Sequence, residues 1–178
     1  MRATGAEWET GPVRFAFILT TAAYVVLLGA AAVLLPRWVP VHLGFMEHPE
    51  SRVARAESVV LFGVAGLAIA LATAWVARVL PRQPLPSPWV DVPHHAWWGA
   101  TPAREAEARR RMVGVLYGAG AVAMVSLCGV LVSVVATARA GEPTLGSPFL
   151  TVIGGGVVGL LVWSLWTSLF RYRPEEGR

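Results

Sequence analysis

Met112–Thr137 reads MVGVLYGAGAVAMVSLCGVLVSVVAT, a run of 26 residues without an Asp, Glu, Lys, Arg or His. As an α-helix it would be about 39 Å long, more than the ~30 Å hydrocarbon core of a bilayer, so it should tilt or project into the interface. Three further stretches share its character: Phe15–Leu35, Ser58–Ala77 and Phe149–Phe170 also lack those five residue types. Each reaches the roughly 20 residues that a helix needs to span lipid. Backbone in lipid must satisfy its own hydrogen bonds, so helices are the expected form. The expected fold is therefore all-α, an integral membrane four-helix bundle forming one domain over 1–178. A long Pro- and Trp-rich loop over 78–111, carrying a short helix, separates the second and third spans.

Composition agrees with lipid as the solvent: 55% of residues are hydrophobic, 15% are charged and the mean hydropathy is +0.56. Soluble domains carry about a quarter charged residues. The net charge of +4 and pI of about 10.2 would suit nucleic acid, but the basic residues flank apolar spans. Attraction to anionic head groups of the bilayer accounts for them, and no nucleic-acid partner is expected. All 15 basic side chains are Arg, which with the Ala, Gly and Val richness points to a GC-rich bacterial genome. Cys128 is the only cysteine and lies within a span, so it forms no intramolecular disulfide.

Basic residues select the loops that stay in the cytoplasm. Eleven arginines fall in the amino-terminal segment, the loop from Arg78 to Arg111 and the tail after Phe170, against four in the other two loops. The expected location is a bacterial plasma membrane, crossed several times, with both termini cytoplasmic. Ala30, Ala31 and Ala32 would suit cleavage of a signal peptide, but the apolar run continues to Leu35, and Glu7 and Glu9 dilute the positive amino-terminal region. The first span is therefore expected to be retained.

In the first loop, Pro36 and Pro40 end the first helix, Trp38 suits the head-group level, and a helix is expected from about Ser51. The second loop opens with Pro81, Pro84, Pro86, Pro88 and Pro93, which favour extended chain, and Trp89, Trp97 and Trp98 suit interfacial anchoring. Thr101 should cap a helix with Pro102 at its first position. Glu105 with Arg109 and Glu107 with Arg111 are i, i+4 pairs in the favourable order, so this helix should run on into the third span.

Gly114 and Gly118 in the third span, and Gly155 and Gly159 in the fourth, are spaced four apart. Small residues so placed let helix backbones approach, because packing drives association in lipid. Packing of spans three and four within one chain is the reading preferred here; the same spacing also serves a homodimer seam.

No Asp, Glu, Lys, Arg or His lies within a span, which argues against a proton-coupled pump or a voltage sensor. There is no phosphate-binding loop, zinc-protease helix or serine nucleophile turn, and no cofactor is expected. His42, His48, His94 and His95, with Glu47, Glu50 and Asp91, are the metal-capable groups. The charge rule places the two histidine pairs on opposite faces of the membrane, so no metal site is expected.

Two loop segments resemble a known pattern. Leu35-Pro36-Arg37-Trp38-Val39-Pro40-Val41-His42 followed by Gly44 resembles the Leu-Pro…Pro-Val-His signature of the small membrane domain shared with SdpI-type toxin-immunity and signalling proteins. Asp91-Val92-Pro93-His94-His95-Ala96-Trp97-Trp98, followed by Arg104-Glu105, resembles a second motif of its four-span members, in which an Asn-Leu-Pro run leads to Tyr-Trp and an Arg-Glu pair. Asp91 stands where Asn is usual and Trp97 where Tyr is. The resemblance covers roughly residues 14 to 137 and implies a non-enzymatic protein. It would act in binding, sensing or immunity through its loops, with a protein partner at the membrane. The candidate recognition or anchoring residues are Pro40, His42, Asp91, Pro93, His94, Trp98 and Arg104. A small transporter or channel subunit and a structural subunit of a membrane complex are the alternatives, and a membrane enzyme comes last.

Overall fold

The computed structural model describes residues 7–40, 52–84, 92–142 and 145–173. Its elements are α1 (Glu7–Leu34), β1 (Trp38–Pro40), β2 (Arg52–Ala54), α2 (Arg55–Val79), α3 (His95–Trp98), α4 (Pro102–Ala140) and α5 (Gly146–Trp166). A 3₁₀ turn, Leu80–Arg82, follows α2, and a π-helical turn, Thr167–Arg171, extends α5. Four helices are long and apolar enough to cross a membrane: Gly11–Leu34, Arg55–Arg82, Pro102–Ala140 and Gly146–Arg171. The protein is an all-α membrane helical bundle.

Each spanning helix begins before its apolar run, and α2, α4 and the π-helical extension of α5 end beyond theirs, whereas α1 stops at Leu34, one residue inside its run. Charge-free sequence marks where hydrocarbon begins, whereas helical hydrogen bonding continues through the interface until a cap stops it. At α4 those stops are explicit. The Thr101 hydroxyl accepts from the Arg104 amide at 3.3 Å, and Pro102 occupies the first turn, where its missing N–H is no loss. Gly141 closes the helix with φ +74°, a left-handed conformation open to a residue without a Cβ.

The first loop departs from its expectation, since the chain enters α2 through a strand. Trp38, Val39 and Pro40 pair antiparallel with Ala54, Val53 and Arg52. The Arg55 amide continues the ladder by donating to the Arg37 carbonyl at 3.0 Å. Three-residue strands are too short to show a period in sequence. They exist because α1 ends where α2 begins, which lets their edges pair.

α4 is the hub, packing against α1, α2 and α5, while α1 and α2 also meet each other. Small residues mark the close approaches. Tyr24 of α1 lies over Gly66 of α2, and its hydroxyl donates to the Phe62 carbonyl at 2.6 Å. Gly120 of α4 admits Thr73 from α2 and Phe17 from α1. The main core joins Phe17, Tyr24, Ala31 and Leu35 to Met124, Leu131, Val134 and Ala138, with Val39 and Leu145 closing the end that carries the two strands. Outward, Val60, Leu61, Val64, Leu67 and Leu71 on α2, and Val157, Leu161 and Leu165 on α5, are exposed. A soluble monomer rarely exposes so contiguous an apolar surface; lipid makes it favourable.

Between α4 and α5 the expected glycines divide. A Cβ at Gly118 would fall 2.0 Å from Trp163 Cζ2, and one at Gly159 would touch Val122 at 3.4 Å. Gly114 is buried on α4. Gly155, expected in the seam, faces open space, and so does Gly154. The seam instead uses Gly156, against Ser126, and Gly129, against Val152. Spacing identifies a stripe of small residues, but the rotation of the helix decides which of them meets the neighbour.

Candidate functional site

At the end of the bundle away from the two strands, the base of α4 gathers the other chain segments. Arg109 on its second turn donates to the Pro81 carbonyl, just past α2, and also pairs with Glu105. Arg111 donates through Nη1 to the Arg171 carbonyl at the end of α5, at 2.7 Å, and through Nε to Glu107 at 2.9 Å. Arg110 reaches the same Glu107 carboxylate at 3.2 Å. Both i, i+4 pairs anticipated from sequence are formed. Two of their arginines also use spare donors to tie α2 and α5 to α4, a use that the five donors of guanidinium permit.

Within this polar shell lies a second, smaller core of Val92, Trp98, Ala108, Met112 and Tyr172. Trp98 is 1% exposed, and its indole Nε1 donates to the Tyr172 carbonyl at 3.1 Å. The Trp98 ring meets Trp97 edge-on at 4.7 Å and Tyr172 edge-on at 6.2 Å, both favourable quadrupole arrangements. Two cations complete the cluster, with Arg111 at 4.9 Å from the Trp98 ring centroid and Arg104 at 4.1 Å from that of Trp97. Burial pushes the Tyr172 phenol up to about 12, against the opposing pull of Arg171 and Arg111.

The turn that presents Trp98 is held by His94. Its carbonyl accepts from the amides of both Trp97 and Trp98, at 2.9 and 3.2 Å. Its φ of 60° is unusual for a residue with a Cβ and persists where the surroundings dictate it. The His94 and His95 side chains are exposed, Pro93 and Arg104 are half-buried, and Trp98 is buried. Pro40 sits in β1 at the opposite end of the bundle, so it does not join this group. His42, His48, Glu47, Glu50 and Asp91 lie outside the described residues. Among the described residues no three His, Cys, Asp or Glu side chains come together as a metal site would require.

Sequence reading missed Tyr172, Arg171 and Met112 as members of this cluster, and it placed Arg111 only in its helical pair. The one local signal was a tyrosine flanked by Arg171 and Arg173 at the end of an apolar run. Hollows on the surface lie on the outer face of α2 around Trp75, reaching Leu80 at the edge of this cluster, and between α1 and α4 near Leu131, with mainly apolar linings. No family model, curated protein or solved structure matches the chain.

Proposed function

We propose that the chain is a non-enzymatic, SdpI-like protein of a bacterial plasma membrane that works by binding, sensing or immunity through its loops. The end carrying Trp98 and both termini would face the cytoplasm. The observation that supports this reading is the distribution of charge. The four apolar runs hold no Asp, Glu, Lys, Arg or His, while Glu105, Glu107, Arg109, Arg110 and Arg111 crowd one end, where Arg109 and Arg111 tie the ends of α2 and α5 to α4. Proton relays and voltage sensors in membranes use ionisable side chains of those five types, and these spans have none. A rigid, charged end with exposed His94, His95 and Arg110 instead suits contact with a protein partner.

Orientation is tested in a Cys128→Ala background. A cysteine at Glu142 should react with an impermeant thiol reagent on intact cells, and one at Gln83 only after permeabilisation. Labelling of Gln83→Cys from outside would invert the arrangement.

Function is tested with photo-crosslinkers at the exposed positions His95 and Arg110, with Leu67 on the lipid face of α2 as control. The binding reading predicts one discrete protein adduct from His95 or Arg110 and none from Leu67. If neither position captures a protein while reconstituted vesicles show solute flux above empty ones, transport replaces binding.

A second reading, a structural subunit of a membrane complex, is favoured by α5. Among the described residues that helix packs extensively on α4 and on no other span, and its outer face combines Gly154 and Gly155 with exposed Val157, Val158 and Leu161. Purification in mild detergent separates the two readings. A stable stoichiometric assembly, lost on Gly155→Ile, supports the subunit or a homodimer.

A further inference from the structure

Arg171 stands apart from the other arginines at this end of the bundle. Its Nε and Nη2 are shut off from solvent and have no hydrogen-bond partner among the described residues. These two atoms are the adjacent donors on one edge of the guanidinium, the edge that grips two oxygens of a carboxylate or phosphate side-on. The described carboxylates nearby are already engaged, Glu105 with Arg109 and Glu107 with Arg110 and Arg111. A permanently charged group with an unmet fork, removed from water, is costly unless an anion completes it.

Position narrows what the anion is. Arg171 ends the last span, directly after Leu169 and Phe170, which are 48% and 56% exposed. Arg173 lies 5.1 Å over the Phe170 ring and donates from Nε to the Leu169 carbonyl at 2.8 Å. Apolar side chains thus meet two guanidinium groups within one turn, which is the level of lipid phosphates. Arg171 is half-buried as a residue while Nε and Nη2 are enclosed, so binding requires the fork to turn outward to that surface. The Arg111 bond to the Arg171 carbonyl and the packing of neighbouring Tyr172 on Trp98 fix the backbone there, so a site would be held by the Trp98 cluster.

We propose that Arg171 binds a phosphate group, that of an anionic phospholipid head group, side-on through Nε and Nη2. The phosphate chemistry is shared by free inorganic phosphate, and the test separates the two sources. The proposal does not depend on the loop-binding function.

The full-length protein is placed in nanodiscs of phosphatidylcholine with increasing phosphatidylglycerol, and the thermal midpoint is followed. A ligand that binds only the folded state raises it in a saturable way. Wild type should show this rise. In Arg171→Gln the phosphatidylglycerol content at half-effect should increase about tenfold or more, as for loss of a charge-assisted pair. Arg171→Lys keeps the charge without the fork and should lose most of the effect; it carries the comparison if the Gln variant does not fold. Arg139→Gln, at an exposed arginine in the last turn of α4 at the opposite end of the bundle, should respond as wild type does. Millimolar inorganic phosphate in pure phosphatidylcholine discs should leave the midpoint unchanged. A rise equal to that with phosphatidylglycerol would assign the site to free phosphate and overturn the lipid source. If Arg171→Lys and Arg171→Gln respond to phosphatidylglycerol as wild type does, the effect is diffuse surface charge and the site is refuted.

Discussion

Trp98→Ala is expected to destabilise the detergent-solubilised protein by about 3–5 kcal/mol, the range for deleting a large buried aromatic. Three losses coincide at this position. A ring that is 1% exposed leaves a cavity, the Tyr172 carbonyl loses its indole donor, and Arg111 loses the aromatic face beneath it. Trp98→Phe restores much of the apolar contact but not the N–H, so its cost should be smaller, about 1–3 kcal/mol for the unsatisfied carbonyl. Tyr172 supplies a local readout. Its phenol titrates at about 12 in the fold against 10.0 ordinarily, because burial disfavours the charged form. The folded value is raised, so this group's contribution to stability is fully present below pH 10 and is lost as pH rises from 10 to about 12. Unpacking by Trp98→Ala should bring the phenol back towards 10, visible as an earlier ultraviolet titration step that Tyr172→Phe removes. A stable Trp98→Ala variant with an unaltered tyrosine titration would show that the ring is not the keystone of this end.

Gly118→Ile should produce the second large effect, and Gly155→Ile almost none. At Gly118 even a methyl group would lie 2.0 Å from the Trp163 ring. That ring is held in place by its Nε1, which donates to the Val115 carbonyl of α4 at 3.1 Å, and it packs on Trp166 at 5.5 Å. Accommodation requires either breaking that bond or moving α5 away from α4. The second is the easier fault, since among the described residues α4 is the only span against which α5 packs closely. Overpacking costs about 1–3 kcal/mol in ordinary cores, and loss of the Trp163 bond adds about 1 kcal/mol. At Gly155 nothing lies within 4 Å of an added Cβ, so isoleucine there should leave a monomer's midpoint unchanged. Thermal scans of both variants in the same detergent decide the matter: equal midpoints would mean that the α4–α5 contact does not limit stability.

The contrast between these two glycines shows where local sequence stops being informative. Gly114, Gly118, Gly155 and Gly159 are equivalent by spacing, yet only a particular rotation of α5 places Gly156 and Gly159 against α4 and leaves Gly155 outside. The same holds for tryptophan. Trp97 and Trp98 read alike as interfacial anchors, and the fold exposes part of one while sealing the other under Tyr172, a residue 74 positions later.

The four spans and the all-α class follow from sequence alone, because exclusion of charge from hydrocarbon acts on each residue whatever its neighbours, and a continuous apolar run of about 20 residues satisfies its own backbone in lipid as a helix. The cap of α4 and its two ion pairs are legible for a related reason: Thr101, Glu105 and Glu107 find their partners within one turn. The β1–β2 pairing, the seat of Trp98, the face of α5 that meets α4 and the unpartnered fork of Arg171 were decided by tertiary structure. Each depends on which separate segments the fold brings within a few ångströms, and a pairing between separate segments leaves no periodic trace in either one.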